Sequence, residues 1–174
     1  MASRPSNLLR PEGLGRALDR TDFVLLDAVQ SDARVSNKEL AAAADLAPSS
    51  CLERMRRLVD ARVIRGFHAD LDPEALGFGL RALVAVEVAH HTRDALTALA
   101  AHLRAMPEVV DLYSLAGRID FIAHVVCRDT AHLERVTVDG FATRPEVRRI
   151  ETWVVFWSQH HGLPVPAGPP LRGD

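Results

Sequence analysis

Two short helical segments separated by a four-residue break constrain this chain more than any other feature. Ser36 to Ala44 is rich in alanine and opens on Ser36-Asn37-Lys38-Glu39. That is the spacing of a capping box, in which the serine hydroxyl and the glutamate carboxylate satisfy free amides at a helix start. Asp45-Leu46-Ala47-Pro48 interrupts the pattern. A further helix starts with Pro48 in its first turn, where a missing N–H costs nothing. Its spacing predicts Ser49, Ser50, Arg54 and Arg57 on one face and Leu52, Met55, Leu58 and Val59 on the other, as in a helix seated on a core. Two short helices joined tightly, the second with hydroxyls first and arginines later, suit the major groove of DNA. Hydroxyls and amides near helix starts (Asn37, Ser49, Ser50) reach phosphates or base edges, and arginine reads guanine or neutralises phosphate. In isolation Arg54 and Arg57 read as an ordinary solvated face; the helix-turn-helix context points them at DNA.

The surrounding segments complete a domain. Residues 1–17 are punctuated by Pro and Gly and read as a flexible extension. Asp19 opens a helix to about Gln30 with Phe23, Leu25, Leu26 and Val29 apolar. After the third helix, Val63–Phe67 and His68–Leu71 alternate like a small hairpin. Three helices and a hairpin make a winged helix-turn-helix over 18–72, followed by a linker at 73–81.

From Ala82 the period changes. Ala82–Val88, Val109–Leu115, Phe121–Cys127 and Val147–Trp157 read as strands. Asp94–Met106 and Asp129–Phe141 read as helices, with Leu96, Leu99, Leu103 and Met106 inward on the first and Leu133, Val136 and Phe141 on the second. The order β-α-β-β-α-β is the ferredoxin-like split motif, here over 82–160. The fold class is therefore α+β. The last strand is apolar on both sides, with Trp153, Val155 and Trp157 opposite Ile150, Thr152, Val154 and Phe156. A sheet with helices on one side has a free side, and an apolar free side predicts burial against another subunit. Residues 161–174, rich in Pro and Gly, read as a disordered tail.

Composition excludes several classes. The 174 residues, 48% hydrophobic, suffice for two small domains. No apolar run is long enough to span a bilayer and the start lacks a signal-peptide centre, so a cytoplasmic protein is expected. Cys51 and Cys127 fall in different domains, which disfavours a disulfide and a zinc site. The adjacent pairs His90-His91 and His160-His161 diverge on extended chain, so no metal or other cofactor is expected. Net charge is -2. Residues 1–72 hold 11 basic and 11 acidic side chains, leaving only Arg54, Arg56, Arg57, Arg62 and Arg65 as a basic cluster. One copy of so neutral a domain should bind DNA weakly, so several copies should act together.

Five stretches carry a family resemblance: LDRTD (18–22), SNKELAAAADL (36–46), PSSCLERMRRL (48–58), VIRGF (63–67) and GRIDF (117–121). Together they resemble the Lrp/AsnC (feast/famine) transcription regulators, from Leu18 to about Gln159. The resemblance implies a DNA-binding homodimer that assembles further, often to an octamer, through the ferredoxin-like domain. It implies an amino acid or related metabolite bound between subunits around Gly117–Phe121, and it places Ser114, Thr130, Trp153, Val154 and Val155 among ligand-responsive positions. Gly117 permits a turn and close approach. Asp120 is a candidate for holding an ammonium group; its alternative reading is a turn-capping carboxylate. The chain departs from the family at Arg118, where an acidic residue is usual, and at Phe121, where tyrosine is. It departs again at Asp45 and Arg62, where glycine is common, and at Ala47, where a serine caps the next helix. If the backbone at 45 and 62 is left-handed, each non-glycine residue costs on the order of 1 kcal/mol.

Two alternatives stand beside the regulator. Sirohaem decarboxylases share the two-domain pattern but carry a histidine-containing stretch with a Tyr-Asn step where this chain has GRIDF, and no catalytic cluster is visible elsewhere. A ligand-independent architectural DNA-binding protein differs only in whether the pocket around 117–121 is occupied.

Overall fold

The computed structural model describes residues 11, 13–159 and 161–166. They form two compact units, one of the described residues up to 70 together with 161–166, the other of residues 71–159.

The first unit holds α1 (Arg20–Ser31), α2 (Asn37–Ala43) and α3 (Pro48–Asp60). Each start follows local chemistry. Asp19 and Asp22 form a capping box on α1, and Ser36 and Glu39 form the expected one on α2. At α3 the N-cap is Ala47, which makes no side-chain hydrogen bond. Both α2 and α3 end on left-handed residues, Asp45 (φ 52) and Arg62 (φ 53). The Leu46 amide donates to the Ala41 carbonyl at 2.8 Å, and the Val63 amide to the Leu58 carbonyl at 2.9 Å. These are Schellman closures, in which glycine would be unstrained. Leu25, Leu40, Ala41 and Cys51 form the core, with Val29, Leu46 and Met55 against it.

Two expectations fail here. The segment after α3 forms no hairpin: residues 65–71 are exposed and pair with no strand among the described residues. An isolated two-stranded ribbon is marginal in water, and His68-Ala69 is no turn dipeptide. The N-terminal extension, in turn, is not loose throughout. Arg16 reaches Asp22 with Nη1 at 2.6 Å and Nη2 at 2.9 Å.

The second unit holds β1 (Leu80–Val88), α4 (Arg93–Ala105), β2 (Val109–Ser114), β3 (Phe121–Cys127), α5 (Thr130–Thr137), a π turn (Val138–Ala142) and β4 (Val147–Val154). The antiparallel sheet has the order β2-β3-β1-β4. Ala82, Val84, Val86 and Val88 share a face with Phe121, Ala123 and Val125, and pack against Leu99, Leu103, Val136 and Phe141 from the helices. In the π turn, Gly140 lets the chain pass Met106: a Cβ there would lie 2.2 Å from the methionine Cε.

The free face carries the rows Asp111-His124-Leu83-Trp153 and Tyr113-Ile122-Ala85-Glu151. It is mixed rather than uniformly apolar, since β4 contributes Arg149 and Glu151 beside Trp153. The final strand also stops at Val154, three residues before Trp157, leaving Phe156 95% and Trp157 75% exposed. Both cysteines are free and buried. No helix among the described residues is long and apolar enough to cross a membrane, and no cluster of ligating side chains there could hold a metal ion.

Candidate nucleic-acid interface and effector site

On α3 the inward stripe is Cys51 and Leu58, both buried, with half-buried Met55 between them. Leu52 is 63% exposed and Val59 is 41% exposed, so neither belongs to the core face expected of them. The face is rotated from its sequence-based position because Cys51, small and fully buried, sits at the contact with α1 and α2. The outward surface therefore holds Ser49, Ser50, Glu53, Arg56 and Arg57.

Arg54 lies on the inner side. Its Nη1 donates to Asp19 at 2.7 and 2.9 Å and to Asp22 at 2.8 Å. Asp22 is wholly buried and also accepts from Arg16 and from the Asp19 amide. Burial alone would raise the Asp22 carboxyl, but those three donors outweigh it and hold it down at about 2. Burial lowers the pKa of Arg54, and its two aspartates more than reverse that, leaving it raised. Arg54 is thus a clamp between α3 and the start of α1, which corrects its reading as a DNA contact. Asn37 is corrected in the same way. Its side-chain amide donates to the Pro48 carbonyl at 2.9 Å, bracing α2 against the first turn of α3. Arg57 is exposed and paired along the helix with Glu53. Arg56, named in the sequence only as part of the basic cluster, is 82% exposed at its side chain, and a helical phase anchored on Cys51 places it on the outward face.

The expected effector residues fall into two groups. Ser114, Gly117, Asp120 and Phe121 lie at or before the start of β3. Thr130 lies past its end, and Trp153 pairs in register with Leu83, which faces His124. Thr130 is therefore a full strand from Phe121, about 20 Å of extended chain, while Trp153 is level with His124, three residues along β3 from Phe121 and two strands across. Gly117 is not left-handed, and a Cβ there would meet nothing within 4 Å, so no steric need for glycine exists within the chain. Phe121 is 3% exposed in the core, which removes its ring from any open pocket. Asp120 is buried. One carboxylate oxygen accepts the Val88 amide at 2.8 Å and the other meets His91 Nε2 at 2.8 Å. Its own backbone continues the ladder, the amide donating to the Val86 carbonyl and the carbonyl accepting from Leu115. Arg118 is exposed, 3.9 Å from Glu151. Trp153 and Val154 are each 44% exposed.

Comparison with known proteins accounts for both units. Residues 18–65 match a winged helix-turn-helix DNA-binding domain, and residues 81–160 match the Lrp/AsnC ligand binding domain. The HTH-type transcriptional regulator AldR of Mycolicibacterium smegmatis is 41% identical, covering 81% of this chain and 82% of its own. The leucine-responsive regulatory protein of Rhizobium meliloti is 32% identical over 78% of this chain and 86% of its own. A transcriptional regulator of Neisseria meningitidis, solved as a complex with L-Met, superposes with a TM-score of 0.79 at 30% identity, covering 86% of this chain and 97% of that one. By sequence along most of its length and by the architecture of both units, this chain belongs to the Lrp/AsnC family of transcriptional regulators, combining a DNA-binding helix-turn-helix with a ligand-binding domain.

Proposed function

We propose that this protein reads operator DNA with the outward face of α3, and that an amino acid bound between the subunits of a homo-oligomer tunes that binding. The observation that carries the DNA reading is the division of labour among the α3 side chains. Ser49, Ser50, Arg56 and Arg57 face solvent, while Arg54 is held inside by Asp19 and Asp22. Serines at the helix start reach phosphates through their hydroxyls, and the two arginines lie about two turns further in, on the same outward face. Glu53 and Asp60 offset part of this charge. Binding by one copy is correspondingly weak, and paired half-sites supply the affinity.

The free sheet face and the exposed Trp153, Phe156 and Trp157 are the surface for self-association, first to a dimer and then to a larger closed assembly such as an octamer. The effector site is read as shared between subunits, because Thr130 lies beyond the far end of β3 from Gly117 and Phe121. Ser114 and the Gly117 backbone of one subunit meet Thr130 and Trp153, with Val154 and Val155, of the partner subunit. Asp120, with both oxygens engaged, organises the loop rather than neutralising the ligand's ammonium. The amino-acid class is supported by the L-Met complex of the Neisseria relative and the leucine response named for the Rhizobium one. The work of the protein is regulatory rather than catalytic, and it takes place in the cytoplasm.

Calorimetry of the full chain against the protein amino acids, followed by fluorescence anisotropy on a duplex selected by the protein, tests both halves. A ligand that binds stoichiometrically and shifts the operator affinity is expected. Operator binding with no amino acid bound by calorimetry would favour the architectural reading. Failure of Arg56→Ala and Arg57→Ala to weaken operator binding would remove α3 as the reader.

A further inference from the structure

The C-terminal residues 161–166, expected to be disordered, lie against α1 and the 63–68 segment of the DNA-binding unit. The contact has a specific chemistry. The Gln30 side-chain amide reads the main chain of Leu163 in both directions: Nε2 donates to the Leu163 carbonyl at 2.7 Å, and the Leu163 amide donates to Oε1 at 2.9 Å. This is the pairing one strand residue offers another, supplied here by a side chain. Gly162 makes it possible. A Cβ at 162 would lie 2.7 Å from both Cδ and Nε2 of Gln30. The residues that follow are Pro164-Val165-Pro166. Proline fixes φ and biases its predecessor toward extended backbone, so the segment loses little entropy on docking. It borders a cavity of about 830 Å³ whose apolar walls include Phe23, Leu26, Val29, Val63, Ile64 and Phe67. None of the outward α3 residues Ser49, Glu53, Arg56 or Arg57 lines that cavity, so the segment leaves the DNA-reading face open.

The chain passes between its two units after Asp70 and again after Gln159. We propose that residues 161–166 are a strap that fastens the DNA-binding unit to the ligand-binding unit at a second point, and so restricts the spacing of half-sites that a dimer can engage. A unit held by one linker swings and accepts many spacings. A unit held at two points presents α3 in fewer orientations, which sharpens the match to one spacing. Five residues of sequence join Val155 to the segment, a short covalent route from the last strand to α1. The strap rests on α3 being the DNA reader, but its docking is measurable without DNA.

The test uses the full chain, Gly162→Ala, Gln30→Ala, the double variant, and a chain ending at Gln159. Hydrogen exchange should show the Leu163 amide protected about tenfold more in the wild type than in either single variant. The double variant should be no worse than Gln30→Ala, because both substitutions remove the same pair of hydrogen bonds. Duplexes carrying two copies of a wild-type-selected half-site at stepped separations should then show a narrow optimum for the wild type. The truncated chain should show a flattened profile. A Leu163 amide that exchanges equally in wild type and Gln30→Ala overturns docking. An unchanged spacing profile after truncation overturns the orienting role. If no duplex is bound by any form, the α3 reading fails, and exchange alone still decides whether the strap is seated.

Discussion

Arg54→Ala should damage folding, whereas Arg57→Ala should damage DNA binding. The contrast follows from where each guanidinium ends. Arg54 is 25% exposed at its side chain and contacts two carboxylates. The contact with Asp19, itself 46% exposed, is screened and contributes about 0.5 kcal/mol. The bond to the wholly buried Asp22 is a charged hydrogen bond, contributing about 1.5–3 kcal/mol. Arg16 remains on Asp22 after the substitution, so the carboxylate is not left alone and the total stays near 2–3 kcal/mol. For a unit of this size that lowers the melting temperature by about 10–20 °C. Arg57 pairs only with exposed Glu53, so its truncation should change stability by less than about 0.5 kcal/mol. It should weaken operator binding by about 1–3 kcal/mol and relax base preference at one position. Urea denaturation of both variants, followed by anisotropy at a temperature where each is fully folded, separates the two effects. An Arg54→Ala protein as stable as wild type, with operator affinity as low as that of Arg57→Ala, would refute the clamp.

Three further outcomes follow from the same unit and its neighbour. Arg62→Gly should stabilise the DNA-binding unit by about 0.5–1 kcal/mol by relieving the left-handed strain at φ 53, and Ala47→Ser should add about 1 kcal/mol by capping α3; urea midpoints of the singles and the double should add. The Asp22 carboxyl is depressed from 3.8 to about 2, so its contribution is complete above pH 4 and is lost as pH falls through 2; stability should drop by about 2 kcal/mol across that window, and Asp22→Asn, though less stable, should lack that step in acid titrations followed by circular dichroism. Gly140→Ala should lower the stability of the ligand-binding unit by about 1–3 kcal/mol, since the new methyl meets the Met106 side chain, and Met106→Ala in the same chain should recover part of the loss in thermal unfolding.

Periodicity and caps located the helices and the strands of the sheet, but alternation alone also suggested a hairpin after α3 that does not form. The helices and strands of the ligand-binding unit follow the predicted order, because a sheet covered on one face and helices seated on it must bury apolar residues at their own periods; the last strand ends early at Val154 and the second helix gives way to a π turn after Thr137. The capping box at Ser36 and the proline at Pro48 locate the helix-turn-helix by chemistry confined to a few consecutive residues. Even the left-handed ends at Asp45 and Arg62 were legible as places where glycine would be easier. Only the tertiary structure decided what each polar side chain meets. Arg54 and Arg57 are three residues apart and chemically identical, yet one closes on Asp19 and Asp22, distant in sequence, while the other points to solvent. Asp120 reads in sequence as a ligand group or a turn cap, and only the fold shows one of its oxygens accepting from the Val88 amide and the other meeting His91. The composition of the tail says disorder, because low-complexity Pro/Gly sequence cannot build its own core. A single glutamine 133 positions away supplies the partner that it lacks. Periodicity follows from burial of one face, which each element carries in its own sequence; hydrogen-bond partners follow from which elements meet, and that information is distributed over the whole chain.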